Sequence, residues 1–189
     1  MTDEQLIARA ARGDQTAFEL LWERHWHAVY SYAWLLARNV SDAEDITQET
    51  FFALIRRPAA FDPARAQLRT WLIAVVRRQY LNRRRGSDRE NAVEDLDSAG
   101  DAPEVLPEIL KDLILLERAE AVRRAVGSLP HGQREALYLF EFEDLSLAEI
   151  AAILNLEANA VKARLYRGRE QLKRLLAPLK PAENKKGCI

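Results

Sequence analysis

Apolar residues along this 189-residue chain recur at steps of three and four, and no segment sustains the alternation of a half-buried strand. That period commits the chain to helices, each burying a stripe against another helix. The longest such stretch carries Phe18, Leu21, Trp22, Trp26, Val29, Tyr30, Ala33 and Trp34. Helix punctuation agrees with the period. Thr2-x-x-Gln5 has the pattern of a capping box, Gly13 suits a helix stop, and Asp14 can cap the next helix. Ser41-x-x-Glu44 reads as another capping box, opening a helix that ends before Pro58, and Phe61-Asp62-Pro63 marks a loop. A further helix is expected from about residue 67 to 85, burying Leu68, Trp71, Leu72, Val75, Val76 and Leu81.

The near-zero net charge of −1 hides a division along the chain. Residues 1–85 hold 13 basic and 10 acidic side chains, and residues 114–189 hold the same numbers. Residues 86–113 hold 2 basic and 9 acidic ones. This middle stretch also contains Gly86, Ser87, Ser98, Gly100, Pro103 and Pro107, with too few apolar residues to fold alone. The expected organisation is all-α: a helical domain over 1–86, a flexible acidic linker over 87–111, a second helical domain over 112–177, and a short tail over 178–189.

Several function classes fall away. No apolar run approaches the ~20 residues that cross a bilayer, so membrane insertion is not expected. The acidic start Met1-Thr2-Asp3-Glu4 lacks the pattern of a signal peptide, which points to the cytoplasm. The single Cys188 rules out a disulfide framework and a multi-cysteine zinc site, and it is not placed for prenylation. No nucleophile–base pair, phosphate loop or zinc motif occurs, so no catalytic residue, cofactor or metal is expected. The acidic cluster Asp42, Glu44, Asp45 and Glu49 lacks a histidine partner at helical spacing, and His25 and His27, two apart, splay to different sides. That cluster suits a docking surface for a basic partner.

The second half carries the chemistry. Its helices are expected from near Asp112 to Gly127, from about His131 to Phe142, from the capping box Ser146-x-x-Glu149 to Asn155, and from about Ala158 to Leu176. The last pair has helix-turn-helix grammar, with Asn155 tolerating the left-handed turn. In the final helix Val161, Leu165, Leu172 and Leu175 form a buried stripe. Lys162, Arg164, Arg167, Arg169, Lys173 and Arg174 point elsewhere, against one acid, Glu170. Such a helix suits the major groove of duplex DNA. A second basic cluster, Arg77, Arg78, Arg83, Arg84 and Arg85 with Tyr80 and Trp71, has the mixture that holds single-stranded nucleic acid, although Trp71 on the apolar stripe also reads as core.

Three segments together resemble the sigma-70 family, specifically the small extracytoplasmic-function (ECF) sigma factors of bacterial RNA polymerase. They are Asp42-Ala-Glu-Asp-Ile-Thr-Gln-Glu-Thr-Phe51; Leu68-Arg-Thr-Trp-Leu-Ile-Ala-Val-Val-Arg77 running into Asn82-Arg-Arg-Arg85; and Leu129-Pro130 with Leu145-Ser-Leu-Ala-Glu-Ile-Ala151 and Val161-Lys-Ala-Arg-Leu-Tyr-Arg167. The resemblance implies a region 2 bundle and a region 4 helix-turn-helix domain. It implies core polymerase, through its β and β′ subunits, and promoter DNA as partners, and a separate anti-sigma protein as regulator. Asp42, Asp45, Gln48 and Glu49 would dock on β′. Phe61, Arg65, Arg69, Trp71, Arg77, Arg78, Tyr80, Asn82, Arg83 and Arg84 would melt and hold the −10 element. Lys162, Ala163, Arg164, Tyr166, Arg167 and Arg169 would read the −35 element. Two departures stand out: Glu157 and Ala160 replace the hydroxyl residues common at the start of the recognition helix, which weakens its cap. Ala163 likewise replaces a hydroxyl. A stand-alone helix-turn-helix regulator, a protein-interaction bundle and a metal enzyme are the rival readings.

Overall fold

The computed structural model describes residues 1–90 and 113–177, with side chains described over 1–85 and 120–177. Most of the expected linker, the tail and Cys188 lie outside the described residues. Among the described residues the chain is helical, without a strand. The N-terminal bundle comprises α1 (Asp3–Ala10), α2 (Gln15–Ala37), α3 (Val40–Arg56), a short 3-10 turn (Pro58–Ala60) and α4 (Leu68–Glu90). The C-terminal bundle comprises α5 (Leu113–Gly127), α6 (His131–Glu141), α7 (Leu147–Leu154) and α8 (Ala158–Leu175).

Local chemistry accounts for most of the boundaries. Thr2 and Gln5 form the expected capping box, Gly13 takes φ 90°, and Asp14 accepts from the Ala17 amide at 3.1 Å. The expected start at Ser41 is displaced. Arg38 ends α2 in the left-handed region (φ 55°), and Asn39, extended, accepts from the Asp42 amide at 3.1 Å. The chain therefore re-enters a helix within two residues, leaving Ser41 already inside the first turn. α4 runs to Glu90, past the expected edge at residue 86, so Gly86 sits within a helix at a cost of about 1 kcal/mol.

α2 is the axis of the N-terminal bundle, packing on α1, α3 and α4 and also reaching α6. It buries Leu21, Val29, Tyr30 and Ala33 as expected, and also Tyr32, Leu35, Leu36 and His25. A helix contacted from several sides cannot be described by one stripe. α4 buries Leu68, Leu72, Ile73, Val75 and Val76, while Trp71 and Leu81 are half-buried. One apolar core runs from Leu6 and Tyr32 through to Leu139, Ile150 and Leu165, joining the two bundles. In α8, Val161, Leu165 and Gly168 are buried and Leu172 half-buried, but Leu175, the last residue of the helix, is 44% exposed. A Cβ on Gly168 would lie 2.6 Å from Leu137 Cδ1, so a larger residue here would force Leu137 to shift where α8 meets α6.

Candidate functional site

The acidic row lies on α3. Ala43, Ile46, Thr47, Thr50 and Phe51 face the core, and the Thr47 and Thr50 hydroxyls donate back to the carbonyls of Ala43 and Ile46. Burial of that face leaves Asp42, Glu44, Asp45, Gln48 and Glu49 exposed together on the other. Arg83 of α4 reaches into the row. Its guanidinium lies 2.8 Å from Glu49, 3.3 Å from Asp45 and 3.6 Å from Asp42, and Glu49 first, then Asp45, holds its pKa above the usual arginine value. Arg83 is thus placed with the acids of α3. Phe52, half of it exposed and lying under Arg56 (5.7 Å), shares a depression with Glu49, Ala53 and Gln79. Sequence reasoning passed over Phe52; its signal was an apolar residue off the buried stripe.

The second site spreads along the loop after the 3-10 turn and along α4. Phe61 is buried and meets Trp71 edge-on at 6.0 Å, while the Trp71 indole donates to the Ala60 carbonyl at 3.2 Å. These two rings brace the loop. Arg65 is exposed and pairs with Asp62, and Arg78, Asn82 and Arg84 are exposed on α4. Arg69, Arg77 and Tyr80 instead face the C-terminal bundle. Arg77 Nε donates to Glu135 at 2.9 Å and its Nη1 to the Ile153 carbonyl at 3.1 Å. Arg69 Nε donates to Glu143 at 2.6 Å, which raises the Arg69 pKa, and Nη2 reaches the Phe142 carbonyl. Tyr80 stacks on His131 at 6.4 Å, and the Thr70 hydroxyl reaches Glu149 at 3.4 Å.

The third site is α8. Asn155 ends α7 in the left-handed conformation (φ 52°, ψ 54°), and Leu156-Glu157 leads directly into α8. Lys162, Tyr166 and Arg167 are exposed, with Tyr166 at 69%, and Ala163 lies among them half-buried. Arg164 is half-buried with its guanidinium over Gly132, where a Cβ would come within 2.7 Å. Arg169 turns back to Glu141 (2.6 Å) and covers the Phe140 ring at 4.9 Å, so it ties α8 to α6. Exposed Asn159, in the first turn beside Lys162, was not singled out from the sequence. Glu157 makes no side-chain cap, in keeping with its departure from a hydroxyl residue.

Among the described residues no group of three His, Cys, Asp or Glu side chains is arranged to hold a metal, and no helix is long and apolar enough to cross a membrane. His25 is buried and hydrogen-bonds Asp3 at 3.0 Å, with Arg24 on the same carboxylate. Burial, outweighing Asp3, lowers its pKa.

Comparison with known proteins adds identity to this geometry. Two family profiles match, Sigma-70 region 2 over residues 21–90 and Sigma-70 region 4 over residues 119–172. The chain is 35% identical over 190 residues to the ECF RNA polymerase sigma-E factor of Escherichia coli (strain K12), covering 95% of this chain and 96% of that one. It is 31% identical over 190 residues to the RNA polymerase sigma-H factor of Pseudomonas aeruginosa, covering 94% and 95%. The solved structure of CnrH in complex with the cytosolic domain of CnrY aligns at 31% identity with a TM-score of 0.60, over 93% of this chain and 97% of that one. The sigma factor RpoE of Bartonella quintana, solved with the anti-sigma factor NepR, shares the fold (TM-score 0.65, 23% identity, 85% and 96% coverage).

Proposed function

Because the chain belongs to the sigma-70 family as an ECF sigma factor, which binds core RNA polymerase, recognises promoter −10 and −35 elements and promotes initiation, we propose how its surfaces divide that work. The region 2 domain runs to Glu90 at the end of α4, the acidic tether follows it, and residues 112–177 form the region 4 domain. Asp42, Asp45, Gln48 and Glu49 dock on the polymerase β′ subunit, with Phe52 supplying an apolar contact at the edge of the row. Arg83 tempers the mutual repulsion of these acids and keeps their helix face ordered. The observation that carries this reading is the exposure of the whole acid row on a helix whose other face is locked in the core.

Arg65, Arg78, Asn82 and Arg84 meet the −10 strand, joined by Arg69, Arg77 and Tyr80 when the bundles part. Phe61 and Trp71 position the loop that receives an unstacked base. On α8, Lys162, Arg164, Tyr166 and Arg167 meet the −35 duplex, Ala163 allows close approach, and Arg169 holds the helix in place. An arginine bidentate to guanine is worth ~1–3 kcal/mol of discrimination, while phosphate contacts position without choosing sequence. The chain works in the cytoplasm beside its polymerase, with no reaction of its own. A separate anti-sigma protein silences it, by analogy with the relatives solved bound to partner chains.

The test is binding of the full chain to bacterial core polymerase. The Asp45→Lys/Glu49→Lys variant should lose at least about tenfold in affinity, because like charges set against a basic partner cost several kcal/mol. Circular dichroism checks that the variant stays folded. Unchanged affinity sinks the docking assignment. Specific promoter binding by a wild-type chain that ignores polymerase would replace the whole reading with a stand-alone regulator.

A further inference from the structure

The junction between the two bundles is built from charge as well as from apolar packing. Glu135 of α6 is 3% exposed and accepts from two groups of the N-terminal bundle, the Tyr32 hydroxyl and Arg77 Nε, each at 2.9 Å. Glu143, just after α6, is 6% exposed and is covered by Arg69 at 2.6 Å. Tyr32 stacks on Tyr138 at 5.7 Å, which in turn stacks on Phe142. Both carboxylates belong to the C-terminal domain, and both of their arginines belong to α4.

Three physical points bear on this arrangement. A guanidinium recognises carboxylate and phosphate through the same planar fork of donors, so one can replace the other on the same arginine. Arg77 spends Nε on Glu135 and Nη1 on Ile153, and is largely buried, so it cannot serve a nucleic-acid strand at the same time. A buried ion pair gains little over well-packed apolar residues, yet losing one partner is strongly destabilising. Separation of the bundles returns both glutamates and Arg77 to water together and releases Arg69, whose side chain is already 47% exposed. The junction is therefore sensitive to a competitor for its arginines in a way that an apolar seam is not.

We propose that Glu135 and Glu143 are an internal competitor for the promoter strand: they hold Arg77 and Arg69 in a closed form of the chain, and that form and strand capture by α4 exclude one another. The inference rests on the reading of α4 as the −10 element's binder. Lys162, Tyr166 and Arg167 stay exposed in the closed form, so closure withholds one DNA site and leaves the other accessible.

The test uses the full chain with Cys188→Ser, carrying dyes at Arg12→Cys and Ala152→Cys, both exposed positions outside the proposed sites. Energy transfer reports closure, and a labelled single-stranded decamer reports strand binding. Glu135→Gln/Glu143→Gln should raise the open-to-closed ratio about tenfold or more and lower the transfer. It should tighten decamer binding by a similar factor, up to the point where the chain is wholly open, because only the open fraction binds. Adding decamer to the wild-type chain should separate the dyes. Tyr32→Phe, which keeps the ring and removes one donor to Glu135, should act in the same direction and covers the case of a misfolded double variant. Unchanged transfer in folded variants refutes the lock. Separated dyes with unchanged decamer affinity refute the competition. Arg78→Ala, outside the junction, then tells whether α4 binds strand at all: if it leaves decamer binding intact, the −10 reading has failed with it.

Discussion

Glu157→Asp should stabilise the C-terminal domain by about 1 kcal/mol. Glu157 precedes α8 with φ −73° and ψ 146°, the same extended geometry as Ser146 (−65°, 157°) and Thr2 (−79°, 163°), which both cap their helices. Its side chain makes no such bond, and the Ala160 amide instead turns back to the Glu157 carbonyl at 2.9 Å. Aspartate at this position keeps the negative charge at the helix N-terminus, so the macrodipole contribution does not change. One methylene fewer brings the carboxylate into reach of the second and third amides of α8. The gain is therefore the cap itself, about 0.5–2 kcal/mol across hosts and near 1 at an exposed terminus.

Ser146→Ala supplies the opposite arm on the neighbouring helix. It removes the hydroxyl half of a capping box, where Ser146 Oγ accepts from the Glu149 amide at 3.3 Å and donates to the Glu149 carboxylate at 2.7 Å, leaving the bond from the Ser146 amide to that carboxylate at 2.9 Å. Urea unfolding of the full chain, with the m-value checked for constancy, reads both changes. In a thermal melt 1 kcal/mol corresponds to about 4–8 °C if the C-terminal domain melts alone and about 2–4 °C if the larger unit melts together. A neutral or destabilising Glu157→Asp beside a costly Ser146→Ala would refute the reasoning. It would mean that the short Ala160–Glu157 bond already satisfies the end of α8.

Gly168→Val should destabilise the α6–α8 pair by about 1–3 kcal/mol, since the added carbons meet Leu137 in a filled core; an unchanged melting curve would contradict that packing. Acidification should weaken the fold through His25. Its folded pKa lies below the ordinary ~6.5, so the unfolded chain takes up the proton first, and stability falls as pH drops from about 7 through that value and levels off below the folded pKa. Burial also lowers the His131 pKa, with the same sign, so His25→Gln should flatten the slope of stability against pH only in part; an unaltered slope would deny His25 its share.

Period and punctuation were enough to locate the helices, because capping and turn chemistry are local. Thr2, Asp14, Ser146 and Asn155 act within four residues of themselves, and each does in the structure what its type suggests. Ser41 misled because Asn39, two residues earlier, offered the same chemistry at the point where α2 ends. The exposed face of α3 followed from the burial of Ala43, Ile46 and Phe51 at helical spacing. The junction did not follow from pattern. Glu135 and Glu143 look like ordinary solvated acids in sequence, and their burial depends on Arg77 and Arg69, 58 and 74 residues away. The pairing of Arg83 did not follow from pattern either: a run of arginines does not say that one of them turns back across the bundle to α3. Gly168 was missed because the absence of a side chain leaves no mark on an apolar stripe.

The placement of the acids reconciles a DNA-binding chain with a net charge of −1. One set stands in the exposed row on α3, partly neutralised by Arg83. A second set is consumed inside the fold: Asp14, Glu149 and Asp3 serve caps or buried partners, and Glu141 pins Arg169. A third, Glu135 and Glu143, neutralises cations at the junction. The acidic stretch between the domains holds most of the remaining imbalance. What is left facing solvent on α8 is Lys162, Arg167 and Arg174 with the exposed Tyr166, and Lys173 paired with Glu170 at 3.8 Å, a mainly positive local field that salt confines to about 8 Å. Each surface thus presents its own charge to its own partner. The total charge carries little information about either, because the two fields are read one at a time and over distances shorter than the protein.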